Sequence, residues 1–143
     1  MAGLARSRAA LRLFGDDLRP EEITALLGAP PTSSRRRGEQ DDRGRNPRFW
    51  PTGAWILSAD DILPADPDRQ IAQILGQLTA DPAVWRSLAA RFRIDMFCGW
   101  FMDEVNEGVS LSVATLSSLG ERGILLDMDI YGRADESPPD EAG

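Results

Sequence analysis

Histidine and lysine are both missing from the 143 residues, and cysteine occurs once, at Cys98. Without histidine there is no Ser-His-Asp or Cys-His pair and no zinc-protease helix motif; without lysine there is no Schiff base and no P-loop. A single thiol excludes a cysteine-cluster metal site and an internal disulfide. Proton transfer would fall to Asp, Glu, the lone Tyr131 or Cys98, and no catalytic residue, metal ligand or cofactor is assigned. Long apolar runs are missing too, since nothing approaches the ~20 residues needed to span a bilayer. Residues 1–14 carry Arg6, Arg8 and Arg12, and Arg12 breaks the only apolar stretch there, so a secretory signal is not expected. One thiol without an export signal makes the cytoplasm the expected location.

What is present suits a globular protein: 42% of residues are hydrophobic and 27% charged. The net charge is −7, which argues against nucleic acid or an anionic membrane as the main partner. Residues 1–50 hold ten arginines against seven acids, and residues 51–143 hold six against sixteen. That polarity suits solubility first and also permits a basic protein partner. Residues 1–132 are read as a single domain and residues 133–143, rich in acids and proline, as a disordered tail.

Apolar periodicity organises the rest. Residues 7–15 alternate as a strand, with Ala9, Leu11 and Leu13 on one side and Ala10, Arg12 and Phe14 on the other. Pro20 suits the first turn of a helix that carries Ile23, Leu26 and Leu27 and stops at Gly28. Residues 29–53 read as a mobile basic loop with a short edge strand near 34–39. A strand follows at 54–58. Asp66-Pro67 and Asp81-Pro82 start two helices, with stripes Ile71, Ile74, Leu75, Leu78 and Trp85, Leu88, Ala89, Phe92. Residues 93–101 alternate again, with Ile94, Met96, Cys98 and Trp100 inward, which makes Cys98 a buried, inert thiol. Ser110 or Ser112 caps a helix carrying Leu111, Leu116 and Leu119, and a last strand runs to Tyr131.

The fold class read from this order is α+β: a mostly antiparallel four- to five-stranded sheet with helices on one face. Leu18, Ile23 and Leu26 recur at identical spacing as Leu111, Leu116 and Leu119. The echo suggests a ferredoxin-like duplicated split βαβ with the helical pair inserted between its halves. Coincidence is the competing reading, because three matched leucine or isoleucine positions are common in helices.

Several stretches resemble a bacterial family catalogued as domain of unknown function 4279. They are the block from Leu11 to Gly28 (LRLFGDDLRPEEITALLG), Pro31-Thr32, Gly38-Glu39, Gly53-Ala-Trp55, Gly108-Val-Ser-Leu-Ser112 and the final Leu126-Asp-Met-Asp-Ile-Tyr131. The resemblance implies a small α+β bacterial protein. It implies no activity and brings no functional residue with it.

On the sheet face away from the helices, the alternation collects Arg12, Trp55, Asp95, Asp127, Asp129 and Tyr131, with Phe14 and Phe97. Period two puts Asp127 and Asp129 on one side of one strand, where two carboxylates suit a hard cation, a shared proton or an arginine partner. The bland alternative is a solvated face stabilised by cross-strand pairs. The functional expectation is a non-enzymatic protein-binding module, of which an immunity-type inhibitor is one form. The alternative is a small-ligand sensor or a histidine-free enzyme using the same carboxylate and aromatic face. Arg35 to Arg48 with Phe49 and Trp50 could contact phosphate, but interspersed acids favour a surface loop.

Overall fold

Residues 3–133 are described by a computed structural model. The chain runs β1 (Arg6–Gly15), α1 (Pro20–Leu27), β2 (Ser33–Arg35), β3 (Gln40–Asp41), β4 (Arg48–Phe49), β5 (Gly53–Ser58), α2 (Pro67–Leu75), α3 (Pro82–Arg91), β6 (Arg93–Phe101), α4 (Val113–Glu121) and β7 (Leu125–Tyr131). The expected tail, from residue 134 on, lies outside the described residues. Five strands form the main sheet in the order β2-β5-β1-β6-β7, antiparallel except for β6 beside β7.

Local chemistry sets the helix ends. Asp66 accepts a hydrogen bond from the Arg69 N–H, Asp81 from Ala83 and Ser112 from Thr115, each capping a first turn whose amides have no helical partner. Proline opens α1, α2 and α3, where its missing N–H costs nothing. Gly28 ends α1 in the left-handed region at φ 96°, returning its N–H to the Thr24 carbonyl.

The helices lie over one face of the sheet. Ala9, Leu11 and Leu13 of β1, Trp55 and Leu57 of β5, and Ile94, Met96, Cys98 and Trp100 of β6 form one cluster with Ile23, Leu27, Ile71, Ile74, Trp85, Leu88 and Leu119 from the helices. These sheet residues share one parity, so the residues of the other parity form an open face.

Three expectations change. The first βαβ unit is split, because β5 lies between β1 and β2. The second is not, because β6 and β7 are direct parallel neighbours. A duplicated split βαβ therefore does not describe the strand order. A helical pair inserted between ferredoxin-like halves would leave its flanking strands antiparallel, and α2–α3 does not. Both β5 and β6 run antiparallel to β1, which sits between them, so they are parallel to each other. Finally, the echoed leucines differ in role: Ile23 is fully buried whereas its counterpart Leu116 is 51% exposed. Burial in α4 falls instead on Thr115 and Leu119.

Residues 36–52, expected as loop, carry the β3–β4 ladder, extended by Trp50 N–H to Glu39 O at 2.9 Å and Gly38 N–H to Trp50 O at 2.8 Å. The guanidiniums of Arg35 and Arg43 lie 3.7 and 4.8 Å from the Trp50 ring. Arg36 pairs with Glu21, and Arg37 with Asp16 at 3.5 Å. The three consecutive arginines thus each have a partner within the chain.

Candidate functional site

The open face is organised around the middle of β1. Arg12 stands directly opposite Asp95 of β6, and its Nε and Nη2 donate to the two Asp95 oxygens at 2.8 and 2.9 Å. Such a two-point contact fixes the guanidinium plane as well as its position. Asp95 is completely buried, so its charge depends on the pair. Asp127 of β7 approaches Arg12 Nη2 at 3.5 Å. Arg93 lies 3.6 Å from both Asp95 and Asp127. Hydrogen bonding to Asp95 holds the Arg12 pKa above its ordinary value; burial opposes this, and the charges of Asp95, Asp127 and Asp129 add to it.

Aromatic rings floor this group. The Arg12 guanidinium lies 4.5 Å from the Phe97 ring and 5.2 Å from Phe14, distances at which ring and cation attract. Toward one end of the strands Tyr131 stacks on Phe101, centroids 4.7 Å apart and planes 13° from parallel. The Tyr131 hydroxyl donates to Asp129 at 3.3 Å. At the same end, beyond Phe97, Arg8, Ala10, Ser58 and Asp61 line a depression of about 370 Å³.

Five of the six proposed site residues, Arg12, Asp95, Asp127, Asp129 and Tyr131, therefore share this face. Trp55 does not. Its register partner is Leu13, and the ring is buried beneath α1, where its Nε1 donates to Thr24 Oγ1 at 3.1 Å. Nothing local marks the open side of β5, because Trp55 and Leu57 share one parity and Ala54 and Ile56 the other, with no charged residue on either.

Arg93 and Phe101 belong to the site and were not proposed for it. The signal was present, because both share the parity of Asp95 in the alternation of residues 93–101.

The chemistry of this arrangement is positional. Two arginines meet two carboxylates within salt-bridge distance, so Asp95 and Asp127 are already neutralised and offer no open anionic ligand pair. Among the described residues no group of three or more His, Cys, Asp or Glu side chains could hold a metal ion. Cys98 faces the core, and burial pushes its thiol up to about 11, the opposite of an activated nucleophile. Among the described residues no helix is long and apolar enough to cross a membrane. No curated protein and no solved structure matches the chain. One family model does match, over residues 5–133, and on that extent the chain belongs to the family described as Domain of unknown function (DUF4279).

Proposed function

We propose that this chain is a non-enzymatic protein-binding module of the bacterial cytoplasm, with the open sheet face as its recognition surface. One observation carries the reading: an arginine held by two hydrogen bonds to a buried carboxylate, over Phe97 and Phe14 and near the Phe101–Tyr131 pair. Arginine and aromatic side chains are enriched among the residues that dominate interface energetics, and holding them in place beforehand reduces the ordering cost of binding. Internal neutralisation of Arg12 by Asp95 makes this face cheaper to desolvate than isolated charges would be. An inhibitor of the immunity type is the form that fits an acidic chain meeting a basic partner, because opposite net charge speeds association.

Arg8 provides the test. It projects from β1 on the open face, is exposed, and has no ion-pair partner among the described residues. Tagged full-length chain should retain a stoichiometric partner from native-cell extract at low salt. Arg8→Glu should weaken that retention about tenfold or more, with thermal stability unchanged. Equal retention by both chains, or no stoichiometric partner, removes the reading.

The depression beside Arg8 and Phe97 supports a second reading, a small-ligand sensor or an enzyme without histidine. Its volume of about 370 Å³ lies within the roughly 300–1,000 Å³ of ligand clefts. A thermal-shift screen over nucleotides, metabolites and divalent cations decides, because a ligand that binds only the folded chain raises apparent stability by mass action. Silence in that screen, with a protein partner captured, leaves the first reading alone.

A further inference from the structure

We infer that β7 is an acceptor edge for an extended segment of a partner protein in which apolar and basic residues alternate. The inference rests on the protein-binding reading and deepens it by naming where and how a partner joins. β7 ends the sheet, and no strand of the described residues pairs with its outer side. It is seven residues long, against three for β2 at the opposite edge.

The backbone direction is fixed by two hydrogen bonds. The Tyr131 carbonyl accepts from Met102 N–H at 2.9 Å, so Tyr131, and by alternation Asp129 and Asp127, turn their main-chain groups toward β6. Ile124 N–H instead donates to the Leu119 carbonyl, which places the opposite parity on the other side. The N–H and C=O groups of Leu126, Met128 and Ile130 therefore point outward, where a ladder would form.

Side chains specify what fits. Leu126, Met128 and Ile130 stand on the helix-side face, opposite Met96, Cys98 and Trp100. α4 covers the near end through Leu119 and Leu126, but Met128 is 42% and Ile130 57% exposed. The other face of the same strand presents Asp127 and Asp129. Asp127 is shared with Arg12 and Arg93, whereas Asp129 has no arginine within ion-pair distance among the described residues. An added strand would extend the apolar layer with one set of side chains and meet Asp129 with the other.

The acids also choose between occupants. In a second copy paired antiparallel, outward-facing residues must oppose each other, so Asp127 and Asp129 also fall opposite one another. With Met128 against its own copy, Asp127 meets Asp129; a shift of two residues sets Asp127 against Asp127, or Asp129 against Asp129. Like charges directly opposite are destabilising, and charged residues are a usual guard against edge-to-edge self-pairing. The same charges favour Arg or Lys at alternate positions of a foreign strand, with main-chain bonds supplying affinity and alternate side chains specificity.

The probe is a fluorescent peptide of alternating arginine and valine, seven residues long to match β7. Its controls are an isomer with the arginines in one block and a glutamate–valine analogue. Anisotropy should show binding of the alternating basic peptide, at least about tenfold weaker binding of the block isomer, and none of the acidic analogue. Amide exchange at Met128 and Ile130 in the full-length chain should slow on binding. Met128→Pro removes one outward N–H and should abolish the interaction, since proline at a solvent-facing edge position spares the inner ladder. Asp129→Lys should exchange the preference toward the acidic peptide. Equal binding of the block isomer, unprotected Met128 and Ile130 amides, or full binding by Met128→Pro overturns the inference. So does a dimer of the free chain with those amides already protected. A partner lost with Arg8→Glu but a silent peptide leaves the sheet-face reading standing and removes this one alone.

Discussion

The two faces of the sheet handle a buried polar group in different ways. Under the helices, Ser7 is fully buried and neutral; its hydroxyl donates to Gln70 Oε1 at 2.7 Å, and Gln70 Nε2 returns a bond to the Ser7 carbonyl at 3.0 Å. On the open face, Asp95 is equally buried but ionic, and Arg12 is its principal partner. The covered face can rely on neutral amide pairing because α2 lies over β1 there, with Ile71 and Ile74 buried in the cluster and Trp100 buried opposite Ser7. The open face has no helices above it, so its polar groups must hold each other. A neutral pair left half-made costs about 1–3 kcal/mol, whereas half of an ion pair costs more. The open face is thus the more sensitive to a single polar deletion, although it buries less.

The largest expected effect tests that contrast. Arg12→Ala leaves Asp95 enclosed with only Arg93 at 3.6 Å, and should cost about 3–5 kcal/mol in urea unfolding. Replacing both partners, Arg12→Met with Asp95→Leu, should restore most of the loss, because packed apolar side chains replace a buried pair at little net cost. A single variant that loses less than about 1 kcal/mol would place the pair among ordinary surface salt bridges. On the covered face the comparable experiment is Leu13→Ala. Leu13 is completely buried in the cluster with Trp55 and Ile23, so its truncation should cost about 2–5 kcal/mol. The loss should not be rescued by Arg12→Met with Asp95→Leu, because those side chains leave the sheet on the side opposite Leu13 and cannot fill the space it vacates.

Legibility followed polarity. β1 and β6 are readable because Arg12 and Asp95 interrupt the apolar runs of residues 9–14 and 94–101 and mark which side is open. Asp127 and Asp129 did the same for β7. β5 carries only Gly, Ala, Trp, Ile, Leu and Ser, and its register with β1, which places Trp55 under α1, is a tertiary fact. Helix starts were legible from Asp66-Pro67 and Asp81-Pro82, because capping is local. The two-residue strands β3 and β4 are too short for any period to show. The parallel contact of β6 with β7 left no local mark either, because it depends on which edge remained free once β5 and β6 had flanked β1. Arg12 with Asp95 and Asp127 is readable as a shared face, and the parity of Arg93 places it there too; the two-point geometry is not readable.

Cys98 sharpens the comparison from the covered side. Burial pushes its thiol from an ordinary 9.0 up to about 11. Between those values the unfolded chain gives up its proton while the folded chain keeps it, so unfolding is favoured as pH rises. Stability should fall more steeply above pH 9 in the wild type than in Cys98→Ala, as read by urea midpoints across that window. At pH 8 a thiol reagent should modify Cys98 no faster than the chain opens. Rapid modification of the folded chain would mean that the covered face admits solvent.

The smallest effect lies outside both faces, where Arg91 of α3 meets Glu22 of α1 at 2.9 Å. Hydrogen bonding to Arg91 lowers the Glu22 pKa below its ordinary 4.5. A carboxylate depressed in the folded state stabilises above its unfolded pKa, and that contribution disappears as pH falls through the folded value. Glu22→Gln should therefore lower Tm slightly at neutral pH and leave it unchanged in acid, where the wild type has lost the charge as well. Both partners reach solvent, so salt should erase most of the neutral-pH difference. Arg12→Ala, by contrast, should keep most of its penalty in high salt, because the Asp95 carboxylate that it strands is fully buried. Equal salt sensitivity in the two variants would show that the open face is screened like any surface, and the contrast between buried and exposed pairing would fail where it predicts most.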